Sequence, residues 1–144
     1  MRTMSPPRPT PLPDAPRGKP RRSWRAKFGD AFRGLKLGVR GHSSFSVHFF
    51  FAALVIAAAV ALRCDLTQWC LLLGCIGLVL TAELFNSTVE TLFHGLDEKT
   101  KDRTHGCLDI AAGAVLLASI TAAIVGGLVF VSRLIALLNE GTPR

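Results

Sequence analysis

Acidic charge is almost missing from the first third of this chain. Between Arg2 and Arg40 stand 11 of its 17 lysine and arginine residues, against only Asp14 and Asp30. Such an excess of cations suits either a nucleic acid or an anionic membrane face. A single-stranded nucleic-acid platform also needs aromatics interleaved with the cations, and only Trp24, Phe28 and Phe32 are there. No nucleic-acid partner is expected. A cysteine framework is missing too. The four cysteines include no CxxC pair, Cys70 and Cys75 sit inside an apolar run as small hydrophobes, and Cys64 and Cys107 fall at a loop and near a helix start. A cleavable signal peptide is not expected, because the first apolar run begins only near residue 45 and no small-residue cleavage site follows it at a sensible distance.

What the chain does have is apolar residues in long runs. Its 144 residues are 49% hydrophobic, enough for one domain, and the apolar ones gather in three stretches separated by short polar intervals. Residues 1–22 hold seven of the eight prolines with five arginines and one lysine, a composition that cannot bury a core and is expected to be a disordered basic tail. From Ser23 the pattern changes. Trp24, Phe28, Ala31, Phe32, Leu35 and Val39 recur at helical spacing, with Arg25, Lys27, Arg33, Lys36 and Arg40 filling much of the rest. This predicts an amphipathic interfacial helix over 23–42, suited to an anionic phospholipid surface.

The first span is expected over about 45–62, including fourteen unbroken apolar residues from Phe49. After a turn at Arg63-Cys64-Asp65, a second helix covers about 66–93, and a third, rich in Ala and Gly, about 109–132. At about 1.5 Å per residue the second helix is roughly 42 Å long, more than the ~30 Å hydrocarbon thickness, so part of it emerges. The fold class predicted for residues 23–144 is therefore an all-α membrane protein: an amphipathic interfacial helix followed by three transmembrane helices. The cation bias sets the orientation. The basic N-terminus and the second loop, with Lys99, Lys101 and Arg103, are expected in the cytoplasm. The first loop and the C-terminus lie outside, with Arg133 a minor exception.

Ionisable groups on a membrane helix are costly and mark function by default. On the second helix Glu83, Asn86, Glu90 and His94 share one stripe within an arc of about 80°. Measured from Thr67, Glu83 lies about 24 Å along the helix, near the cytoplasmic edge of the hydrocarbon, and Glu90 about 10 Å further, among headgroups or in the cytosol. One carboxylate stands where a lipid headgroup sits and the other where a water-soluble phosphate can reach. The same spacing also fits carboxylates that snorkel or polar residues that join helices.

The segment Glu83-Leu84-Phe85-Asn86-Ser87-Thr88-Val89-Glu90 resembles the E-x-x-N-S/T-x-x-E signature of the small prokaryotic diacylglycerol kinase and undecaprenol kinase family. Asp109-Ile110-Ala111-Ala112-Gly113-Ala114-Val115-Leu116 resembles that family's K-D-x-A-A-G-A-V-L stretch, and Ala31-Phe32-Arg33-Gly34-Leu35 the start of its interfacial helix. The resemblance covers roughly residues 28–131. It implies a homotrimer in the bacterial inner membrane, with active sites shared between neighbouring chains. It also implies transfer of the γ-phosphoryl of ATP to the hydroxyl of a membrane lipid, with Mg2+ bridging the phosphates and no Walker-type glycine loop. By motif position Glu83 matches the catalytic carboxylate, Asn86 a supporting polar residue, Glu90 a metal-binding carboxylate and Asp109 a residue of the nucleotide site. His48 and the Ala-Ala-Gly-Ala-Val-Leu stretch lean toward the polyprenol branch.

The chain departs from that family at four positions. His42 replaces a second metal-binding Glu, Ser46 an Arg, His94 an Asp, and Leu108 the Lys that contacts ATP phosphates. Lys99, Lys101 and Arg103 are candidate replacement cations. His42, Glu90 and His94 make an alternative metal set, since imidazole suits transition metals better than magnesium. Two readings follow: a lipid kinase for diacylglycerol or undecaprenol, or an inactive family member acting as a lipid-binding or structural membrane protein. The topology is testable alone. A reporter fused after Arg144 should be active only outside the cytoplasm, and activity inside would require an even number of spans.

Overall fold

A computed structural model describes residues 23–41 and 44–140. The tail expected at 1–22 and the metal candidate His42 lie outside the described residues. In chain order the helices are α1 (Trp24–Gly41), α2 (Ser44–Ala61), α3 (Leu66–His94), α4 (Glu98–Thr104) and α5 (Gly106–Glu140). No strand occurs among the described residues. Three helices, α2, α3 and α5, are long and apolar enough to cross a membrane. This is an all-α membrane fold.

Each helix end has a local cause. Ser23 Oγ accepts from the Ala26 amide at 3.3 Å and starts α1. Its apolar stripe of Trp24, Phe28, Phe32 and Leu35 is exposed, uncovered by the rest of the chain. α2 ends when Arg63 turns into the left-handed region at φ 52. The Cys64 amide then donates to Ala59 O at 3.0 Å and the Arg63 amide to Val60 O at 3.1 Å, a Schellman closure with arginine where glycine is usual. Two residues on, Asp65 caps α3 and exchanges bonds with Gln68 in a capping box, each at 2.9 Å. The four-residue link 62–65 makes α2 and α3 antiparallel neighbours.

The main packing is α3 against α5. Ala118, Ala122, Gly126 and Val129 recur along one face of α5, where small side chains let the two backbones approach. Leu72 Cδ2 lies 3.9 Å from where a Cβ on Gly126 would be. Ala59, Leu72 and Val129 form the core toward the α2–α3 turn, flanked by Val55, Cys64, Trp69, Val125 and Phe130. Outside it, the large side chains Phe49, Phe50, Phe51, Leu116, Leu117 and Leu128 are exposed, as hydrocarbon-facing surfaces should be.

Two differences from the expected spans have physical reasons. Residues 98–104 form a short helix rather than loop, because Asp97 caps it, accepting from the Thr100 hydroxyl at 2.7 Å and the Thr100 amide at 3.2 Å. The Thr100 hydroxyl, then its amide, hold the exposed Asp97 carboxyl below its ordinary value, so it stays ionised at neutral pH. The last helix starts at Gly106 and continues to Glu140, beyond Ser132. Arg133 does not end it, because its Nε donates to Leu62 O at 2.9 Å and caps the last turn of α2. Substituting Arg133→Ala should lower the stability of the detergent-solubilised protein by ~1.5–3 kcal/mol, the size of a charge-assisted hydrogen bond. Arg63→Gly should raise it by about 1 kcal/mol by relieving the left-handed conformation. Denaturation curves check both.

Candidate active site

At the end of the bundle opposite the α2–α3 turn, α3 carries a polar line on an otherwise apolar helix. Glu83 and Ser87 are 2% exposed and Asn86 9%, a depth that carboxylates and amides reach only with partners. Glu83 finds its partners on α2. The Ser44 hydroxyl donates to Oε1. His48 Nε2 approaches Oε2 at 3.6 Å, an electrostatic contact longer than a hydrogen bond. One turn further along α3, Asn86 Nδ2 donates to Glu90 Oε1 at 3.0 Å. Glu90 is half-buried, and its backbone carbonyl is 2.7 Å from His94 Nδ1. The structure thus arranges Glu83, Asn86 and Glu90 in that order from the bundle interior toward its end.

α1 lies over this region. A Cβ on Gly38 would meet the Leu84 side chain at Cδ1, so α1 packs directly against the residue that follows Glu83. Ser87 Oγ is buried with no hydrogen-bond partner. Two clefts adjoin the line. One of about 320 Å³ runs between α2, α3 and α5, with His48 and Val47 at one end and Leu72 and Gly126 at the other. The second, about 420 Å³, lies between α3 and α5, with Asn86 as its polar wall residue opposite Cys107 and Ala111.

The remaining candidates sit elsewhere. Asp109 is exposed in the first turn of α5, preceded by half-buried Leu108. Lys101 Nζ bonds Glu98 Oε1 within α4 at 2.8 Å, and Lys99 is exposed on the same short helix. Among the described residues no three His, Cys, Asp or Glu side chains converge on a point that could hold a metal ion. Sequence reasoning passed over Ser44 as a partner of Glu83. The signal was the i, i+4 spacing of Ser44 and His48, which puts both on one face of α2.

A helical membrane bundle with a buried carboxylate line near one end defines an integral-membrane protein with an intramembrane polar site. Residues 29–130 match the family described as prokaryotic diacylglycerol kinase. The chain is 32% identical over 119 residues to a diacylglycerol kinase of Synechocystis sp., a match covering 77% of this chain and 64% of that protein. It therefore spans less than two thirds of that relative's length. It is 26% identical over 107 residues to an undecaprenol kinase of Bacillus subtilis, covering 74% of this chain and 87% of that protein. No solved structure matches it. The chain belongs to the prokaryotic diacylglycerol kinase family.

The contact of Gly38 with Leu84 can be tested directly. Replacing Gly38 with Val should force α1 off α3 and increase tryptic cleavage at Arg33, Lys36 and Arg40, while the three spans still insert. Cleavage at the parental rate would show that α1 does not depend on this contact.

Proposed function

We propose that the protein is a lipid kinase that transfers the γ-phosphoryl of ATP to the hydroxyl of a membrane lipid, diacylglycerol or undecaprenol. It would act in the bacterial inner membrane with its N-terminus in the cytoplasm, as a homotrimer whose neighbouring chains share sites. The observation that carries the reading is Glu83, 2% exposed on a helix long enough to cross the membrane, with Asn86 and Glu90 leading from it toward the helix end. Both relatives named above are called kinases of lipid alcohols.

In this reading the lipid hydroxyl gives its proton to the Glu83 carboxylate as its oxygen forms a bond to the γ-phosphorus. The bond from that phosphorus to the bridging oxygen breaks, and ADP leaves with the electron pair. Most of the work is positioning and charge neutralisation. The ~320 Å³ apolar cleft beginning at His48 gives hydrocarbon a place beside the reacting hydroxyl. Asn86 orients Glu90 through the 3.0 Å bond.

The donor chemistry fits magnesium. Magnesium takes one or two carboxylates and draws its other ligands from phosphates and water, and a carboxylate at the end of the line offers it the oxygen donors it prefers. Glu90, with its oxygen donors at the half-buried end of the line, would hold it, and Mg2+ when bound would neutralise phosphate charge. Lys99, Lys101 and Asp109 are the residues proposed to face the nucleotide.

One observation favours the second reading, a lipid-binding or structural protein without turnover: half-buried Leu108 puts an apolar side chain beside Asp109. Kinetics separate the two. With labelled ATP and a panel of diacylglycerol and polyprenols in mixed micelles, the kinase reading expects turnover in the parent. Glu83→Gln should then lose about 10²–10⁴-fold, the usual share of a general base. Leu108→Lys should lower the KM for ATP by about tenfold or more through one charge-assisted contact. An inert parent that neither Leu108→Lys nor added His42→Glu revives would establish the non-catalytic reading.

A further inference from the structure

Among the α-helical hydroxyls of this chain, Ser44 is placed differently from four of the threonines. Thr88, Thr91, Thr104 and Thr121 each turn back to the carbonyl four residues earlier, at Leu84, Ser87, Thr100 and Leu117. That is the usual fate of a hydroxyl inside a helix. Ser44 is the first residue of α2, so no carbonyl of its own helix lies four residues behind it. Its proton goes across to α3 and the carboxylate of Glu83. One turn later on the same face, His48 presents Nε2 to the other oxygen of that carboxylate. His48 also forms the end wall of the apolar cleft. The two α2 side chains therefore address the two oxygens of Glu83 separately, and His48 links that carboxylate to the cleft.

We propose that Ser44 and His48 are positioning residues that fix the rotation of the Glu83 carboxylate so that a free lone pair faces the lipid hydroxyl. This rests on the kinase reading above. A glutamate has three rotatable bonds, and a base acts only within about 2.6–3.2 Å of the proton it takes. Two contacts from one rigid helix hold the carboxylate plane without using all of its lone pairs, since an ionised carboxylate accepts about four hydrogen bonds. The 3.6 Å separation from His48 fits a grip that tightens when substrate closes the site. The roles differ from that of Glu83, because neither side chain receives the proton.

The test uses the full-length protein in mixed micelles with ATP and a lipid alcohol. Ser44→Ala and His48→Phe should each lower kcat by up to about 10²-fold, the penalty of misplacing a reacting group by about 1 Å. The KM for ATP should stay unchanged, because the nucleotide contacts lie on other residues. Ser44→Thr and His48→Gln, which return a donor at similar reach, should recover most of kcat. A second arm needs no turnover. Ser44→Ala should lower the melting midpoint of the parent and leave that of Glu83→Met unchanged, because methionine offers no acceptor. Unchanged kcat beside a coupled midpoint overturns the proposal and leaves a structural contact. An uncoupled midpoint overturns it as well, since the grip is then absent. A parent inert toward every lipid alcohol overturns the kinase reading and the positioning role with it. The midpoint arm then still tells whether the grip exists.

Discussion

A carboxylate on a membrane-crossing helix must be kept from lipid and given partners in place of water, and the half of this bundle remote from the α2–α3 turn is arranged around that requirement at Glu83. Moving an ionised residue to the centre of a membrane helix costs on the order of 2.5–3.5 kcal/mol on insertion scales. Glu83 reduces its cost by lying far along α3 and by facing α2, whose first turn supplies Ser44 and His48. Gly38 of α1 then lets a third element close over the neighbouring Leu84. Remove the carboxylate, and the Ser44 hydroxyl at the start of α2 loses its acceptor.

Burial falls along α3 from Glu83 to Glu90, in the direction the proposed reaction needs. Glu83 and Asn86 are buried and Glu90 is half-buried, joined to the line by the Asn86 amide. A hydroxyl attached to hydrocarbon and a phosphate from solution approach such a line from opposite ends. In the proposed reaction the helix thus acts as a ruler across the boundary between two solvents. Among the described residues the opposite half of the bundle has no comparable buried polar line. There Ala59, Leu72 and Val129 pack without polar partners, and the small face of α5 sets the helix spacing.

Much of this was legible before any coordinates. Long apolar runs and cation-rich ends delimit helices because hydrophobic length and charge act locally, and a stripe at 83, 86 and 90 follows from helix geometry alone. What escaped the sequence depends on contacts between distant segments. Ser44 reads as an ordinary helix start until α3 is placed beside it. Arg133 reads as a stray cation until its guanidinium is seen on the Leu62 carbonyl, 71 positions away in the chain. The short helix α4 was missed for a different reason. Residues 98–104 are all polar, so no apolar periodicity marks them, and the Asp97 cap is the main local signal. Asp109 was read from motif position and Lys99 and Lys101 as replacement cations in the second loop; they stand at the start of α5 and on α4.

The Arg133 contact also has a meaning in time. Synthesis runs from the N-terminus, so α2 and α3 emerge as a helical hairpin long before residue 133 exists. During that interval the end of α2 depends on its own Schellman bonds and on Asp65, which is enough to shape the turn but leaves the Leu62 carbonyl without its guanidinium. The bond forms only after α5 has crossed alongside. The last turn of α2 is thus completed by a residue made 71 positions later.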